Sequence, residues 1–149
     1  MKYIFVTMVA VLAFTFTAGA QNQIDKQGRK QGHWVRADKN GVKIFEADYK
    51  DGLETGTSLY YLASNYVVGN ERLLLSGCPK NGSASTYRIY ATKTSGNGSS
   101  KAEYGSGVFL DPNTTYTISL QIADGAAVDN LTFYPQLEVG DISTEYEPI

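Results

Sequence analysis

The run Tyr116-Thr117-Ile118-Ser119-Leu120-Gln121-Ile122 alternates large apolar and polar residues without a break. Successive side chains of a strand point to opposite faces, so a period of two predicts a β-strand with one buried and one wet face. Tyr116, Ile118, Leu120 and Ile122 are assigned to the core, and Thr117, Ser119 and Gln121 face outward. Such a strand constrains its surroundings, because it needs paired neighbours and a second layer over its apolar face.

The neighbours can be read on either side. Arg72-Leu73-Leu74-Leu75-Ser76 is a short apolar strand stopped by Gly77 and Pro79, and Thr86 to Ala91 is another, after the turn Lys80-Asn81-Gly82-Ser83. Ser95 to Ser100 reads as a flexible glycine-rich loop. Glu103 to Leu110 reads as one further run, leading to the turn Asp111-Pro112-Asn113. After the turn at Asp124-Gly125, Leu131, Phe133, Leu137 and Val139 continue one apolar face, with Pro135 placing that strand at an edge or bulge. Short strands separated by Gly, Pro and Asn turns predict an antiparallel β-sandwich over residues 73–149. The 11 Tyr and 15 Gly of this 149-residue chain, with only 19% charged residues, fit an all-β fold.

Charge and cysteine count narrow the function classes. A net charge of −2 argues against nucleic-acid binding driven by phosphate contacts, which needs clustered Lys and Arg. The single cysteine, Cys78, can form neither an internal disulfide nor a cysteine zinc site within one chain, and reads as a small buried hydrophobe. No phosphate-cradling loop, nucleophile elbow or EF-hand spacing is present, so no cofactor, metal ligand or catalytic residue is assigned. A Ca²⁺ held by Asp and backbone carbonyls stays open. His33, the only histidine, reads as structural or solvent-exposed, and Glu138, Asp141, Glu145 and Glu147 as a solvated acidic tail.

The first 72 residues have a different character. Lys2 precedes an uncharged apolar run from Tyr3 to about Ala18, and Ala18-Gly19-Ala20 closes it. That layout predicts a helical secretory signal peptide, residues 1–20, cleaved before Gln21. The competing reading is an uncleaved anchor, the only membrane-inserted segment expected of this chain. Next comes an internal repeat with an offset of 24 residues, in which Lys26, Gly28 and Gly32 align with Lys50, Gly52 and Gly56. A fixed period marks stacked supersecondary units. Asn40-Gly41 between them predicts a two-residue hairpin turn, so each unit reads as a β-hairpin.

Two resemblances follow from these residues. Tyr49-Lys50-Asp51-Gly52 and Gly32-His33-Trp34 resemble the MORN-like repeats of bacterial secreted proteins, over residues 21–61, although Thr57-Ser58 stands where a second Gly-x-Trp belongs. Farther on, Ser76-Gly77-Cys78-Pro79, Ser85-Thr86-Tyr87-Arg88, Tyr104-Gly105-Ser106-Gly107 and the run from Asn130 to Gly140, with the closing Glu145-Tyr146-Glu147-Pro148, occur in order. Together they resemble a jelly-roll-like β-sandwich of phage and prophage tail proteins, over residues 73–149, with residues 62–72 as the junction. The second resemblance implies a virion-surface role in adhesion or carbohydrate contact. The first implies a secreted or cell-envelope protein whose hairpins bind a protein or lipid surface.

Carbohydrate binding needs an aromatic face for the sugar ring and polar groups for its hydroxyls. If Tyr87 and Ile89 point inward, Arg88 and Tyr90 point outward. Tyr134 and Gln136 likewise face away from Leu131, Phe133 and Leu137. Were the two strands neighbours, Arg88, Tyr90, Tyr134 and Gln136 would form one exposed ligand-binding patch. The plainer reading is that these tyrosines cover a sheet face against loops or another subunit. The expected partner is a cell-surface glycan or protein receptor, with a homo-oligomer left open. The expected function is non-enzymatic attachment or assembly.

Overall fold

The computed structural model describes residues 21–145, and the expected signal peptide and the closing Tyr146-Glu147-Pro148 lie outside them. Among the described residues the regular elements are all β-strands: β1 (Gln23–Ile24), β2 (Lys30–Ala37), β3 (Lys43–Lys50), β4 (Leu53–Val67), β5 (Leu73–Ser76), β6 (Tyr87–Gly96), β7 (Lys101–Glu103), β8 (Val108–Leu110), β9 (Thr114–Ile122) and β10 (Gln136–Glu138). They form a seven-stranded sheet in the order β1-β2-β3-β4-β9-β6-β7 and a three-stranded sheet in the order β10-β5-β8. Every pairing is antiparallel.

The two sheets share one apolar cluster in a β-sandwich-like arrangement. Ile89 and Ala91 of β6 and Tyr116 and Ile118 of β9 meet Leu75 of β5 and Leu110 of β8, with Val68 and Cys78 beside them. Leu131, Phe133 and Leu137 pack on its margin, and Phe133 meets the Tyr87 ring edge-on at 5.6 Å. A second cluster, Phe45, Ala47 and Tyr49 with Trp34 and Tyr60, is built by β2, β3 and β4 alone.

Strand β4 joins these regions. It pairs with β3 through Leu53 to Tyr60 and with β9 through Ser58 to Val67, passing the sequence boundary at residue 61 without a break. Two register shifts, at Tyr61/Ala63 and Ala63/Tyr66, let this long strand keep Ala63 against the core while Leu62 is left exposed.

The 24-residue repeat recurs in the backbone. Gly28 and Gly52 have φ of 78° and 85°, and Gly32 and Gly56 have φ of 67° and 72°. The turn at Asn40-Gly41 differs from expectation, because of the two only Gly41 takes a positive φ. A longer loop led by Asp38 replaces the two-residue turn. The Asp38 carboxylate accepts the amides of Asn40 and Val42, and its backbone pairs with Val42 and Gly41. Asp25 closes the β1–β2 loop with the same set of bonds, to Gln27, Gly28 and Arg29. The shared sequence is Asp-Lys-(Gln/Asn)-Gly, in which the carboxylate substitutes for turn backbone.

Several strand boundaries also differ. Glu103 to Leu110 is two strands in different sheets, split at Tyr104-Gly105-Ser106-Gly107. The split centres on Glu103, whose buried carboxylate accepts the backbone amides of Cys78, Gly105 and Gly107 at 2.8, 2.6 and 2.9 Å. The Ser76-to-Pro79 and Tyr104-to-Gly107 segments thereby converge on one side chain. Gly77 sits so close to Tyr134 that an added Cβ would lie 1.8 Å from the Tyr134 carbonyl oxygen. The last strand spans only Gln136–Glu138, and Val139, beyond it, is 71% exposed instead of lying in the core. The loop after Gly96 is tied down: Gly98 donates to Thr114 Oγ1, Ser99 to Asp111, and Tyr116 to the Ser99 carbonyl. The acidic tail is engaged as well, with Asp141 on Arg72 and Glu138 accepting from Thr144.

Candidate functional site

The face of the seven-stranded sheet turned away from the core is built by rows of paired residues, since directly opposed residues share a face. One row is Tyr61 (β4), Ser119 (β9) and Tyr90 (β6). The next is Val35 (β2), Glu46 (β3), Leu59 (β4), Gln121 (β9) and Arg88 (β6). Tyr61 and Tyr90 flank Ser119 across two inter-strand steps, about 10 Å. This explains why Ser119, assigned outward by alternation, is only 3% exposed: both paired neighbours on its face are tyrosines.

Arg88 is held in place on this face. Its guanidinium carbon lies 4.4 Å from the Tyr90 ring centroid, Nε donates to Gln121 Oε1 at 2.8 Å, and Nη1 reaches the Tyr104 hydroxyl at 3.5 Å. Toward the other edge, Glu46 accepts from Lys43 Nζ at 2.6 Å and from the Tyr61 hydroxyl at 2.9 Å. Burial pushes the Glu46 carboxyl up, but the Lys43 and Tyr61 hydrogen bonds and the charges of Lys43 and His33 outweigh it and hold it below its usual range. Burial and the bond to Glu46 push the Tyr61 hydroxyl up to about 12. His33 lies between two carboxylates, with Nδ1 3.0 Å from Asp48 and Nε2 3.9 Å from Glu46. Among the described residues no group of three or more His, Cys, Asp or Glu side chains is placed to hold a metal ion.

The four residues singled out by alternation fall into two sets. Arg88 and Tyr90 are together on this outer face. Tyr134 and Gln136 belong to the other side of the molecule, because β10 is in the three-stranded sheet and does not neighbour β6. Tyr134 lines a groove of about 440 Å³ with Ser76, Gly77, Glu103, Thr132 and Ser143. Gln136 borders a smaller apolar cavity of about 190 Å³ with Leu62, Leu75 and Leu137, and its amide donates to the Thr144 carbonyl at 3.4 Å. One shared patch would have required β6 and β10 to be adjacent, and strand order is not written in alternation.

Tyr61, Tyr104, Ser119 and Gln121 complete the outer face, and nothing local in the sequence links them to Arg88. Alternation marks Ser119 and Gln121 as outward residues. What was missing is that β9 lies between β4 and β6.

No protein-family model matches the chain, and no curated protein or solved structure matches it either.

Proposed function

We propose that this chain is a non-enzymatic attachment module, a jelly-roll-like β-sandwich whose seven-stranded sheet presents the contact surface to a cell-surface glycan or protein receptor. The observation that carries this reading is the outer row of Tyr61, Ser119 and Tyr90 beside Gln121 and Arg88. It combines flat rings with hydrogen-bonding groups held by a rigid sheet, the arrangement that adhesive surfaces need. A virion surface or a bacterial cell envelope, reached through the signal segment, would each place such a face outside the cell. Binding of the chain spanning residues 21–149 to a glycan array tests it, alongside Tyr61→Ala and Tyr90→Ala. Binding that weakens in both variants supports the outer face, and binding untouched by either contradicts it.

A second reading rests on the cluster of Trp34, Phe45, Tyr49 and Tyr60, whose members come from β2–β4 alone. It has MORN-like hairpins binding a protein or lipid surface through the half-buried Trp34 and Tyr60 at the margin of that cluster. Trp34→Ala separates the two, since it should abolish partner retention in this reading and spare it in the first.

A further inference from the structure

We infer that the outer face of the seven-stranded sheet selects acidic saccharides, with Arg88 receiving the carboxylate or sulfate. This rests on the attachment reading above and names the ligand class of the same face.

Arg88 is a half-buried cation that forms no ion pair among the described residues. Arg29 and Arg72, by contrast, each sit on a carboxylate. Holding a guanidinium in place without a counter-ion forfeits charge pairing, so the site is complementary to an anion supplied from outside. The group is also pre-oriented. Its carbon sits over the Tyr90 ring, Nε donates to Gln121 and Nη1 meets the Tyr104 hydroxyl. Of the five N–H donors of a guanidinium, the second on Nη1 and both on Nη2 therefore remain for a ligand. A planar carboxylate or a sulfate can take two of them side by side, which a lysine could not offer.

The remainder of the face suits the body of a sugar chain. Gln121 and Tyr104 place amide and hydroxyl groups beside the guanidinium. Tyr61 lies on the far side of Ser119, about 10 Å across the strands from Tyr90, a spacing that lets an extended chain touch both. The nearest carboxylate on the same row, Glu46, is three strands away and is already matched by Lys43. Repulsion of an anion by that group is therefore weak at ordinary ionic strength.

The test measures binding of three oligosaccharides of equal length to the chain spanning residues 21–149: uronic-acid-containing, sulfated and neutral. The expected result is preference for one or both acidic forms, weakened by added salt. Arg88→Gln should lose that binding by about tenfold or more, as expected for a charged hydrogen-bonded contact. Arg88→Lys should recover only part of it. Lys93→Gln removes an exposed charge from the same strand and should change nothing. Tyr104→Phe, which leaves the charge intact, provides a milder check should Arg88→Gln disturb the sheet, and is expected to weaken acidic binding by about threefold. Comparing the carboxylate and sulfate arms shows which anion the fork prefers. Equal binding of neutral and acidic chains, or equal losses in Arg88→Gln and Lys93→Gln, would overturn the inference while leaving the attachment reading intact. Absence of binding to all three would overturn the inference together with the glycan form of the attachment reading.

Discussion

Glu103 shows how one side chain can fix two glycine-rich segments. Its carboxylate is 1% exposed and its charge is met by three backbone amides, so the segments at Cys78 and at Gly105–Gly107 share one anchor. Glu103→Ala leaves those buried donors unpaired and should cost about 3 kcal/mol or more, read from the denaturant midpoint. A loss below about 1 kcal/mol would show that the anchor is not needed. Gly77 and Gly41 both have positive φ, of 101° and 81°. An alanine at Gly77 would drive into Tyr134, whereas an alanine at Gly41 meets nothing within 4 Å. Gly77→Ala should therefore disrupt folding, and Gly41→Ala should cost only about 1–2 kcal/mol of backbone strain.

The titratable residues give a pH signature. Burial, and then the Glu103 charge, push the Cys78 thiol up from 9.0 to about 11. Burial and bonds to Glu54 and Glu46 push the Tyr49 and Tyr61 hydroxyls up from 10.0 to about 12. Between these paired values the unfolded chain has released protons that the folded chain keeps, so stability falls as pH rises through the window. Urea midpoints should decline from pH 9 to 12, and Cys78→Ala should flatten the part below about pH 11. A midpoint that stays level over this range would contradict the burial of all three groups.

At the scale of elements, the legible and illegible parts divide cleanly. The alternation of Tyr116 to Ile122 identified β9 and its buried Tyr116 and Ile118, because period two is a local property. The 24-residue offset likewise found glycines that share backbone conformations. Strand partners are non-local, so the sequence could not show that β9 lies between β4 and β6, or that β10 belongs to the other sheet. Alternation alone therefore places Arg88 and Tyr90 with Tyr134 and Gln136, whereas strand order places them with Gln121 and Tyr61. The Asp25 and Asp38 loops did carry a local signal, Asp-Lys-x-Gly repeated at an interval of 13 residues, which the prominence of Asn40-Gly41 obscured. Because Asp38 accepts two backbone amides at 2.8 and 2.9 Å, Asp38→Ala should cost about 1–2 kcal/mol in thermal or chemical unfolding, and Asp38→Asn less.

For the whole molecule, the decisive element is β4. It carries Tyr60 into the aromatic cluster of β2–β4 and Ala63 into the cluster shared by both sheets. A strand common to both regions couples their unfolding, so fluorescence of Trp34, the single tryptophan, and backbone circular dichroism should report one coincident transition. Two separated transitions would mean that the hairpins and the C-terminal half fold independently. The same continuity carries the outer face from Val35 on β2 to Arg88 on β6 without a gap. A contact surface of that kind can be mapped directly, by following backbone amide resonances of the isotope-labelled chain as a uronic-acid oligosaccharide is added. The largest shifts are expected at Arg88, Tyr90, Ser119 and Gln121. Shifts confined to the groove around Gly77 and Tyr134 or to the Trp34 cluster, or no shifts at all, would contradict that expectation.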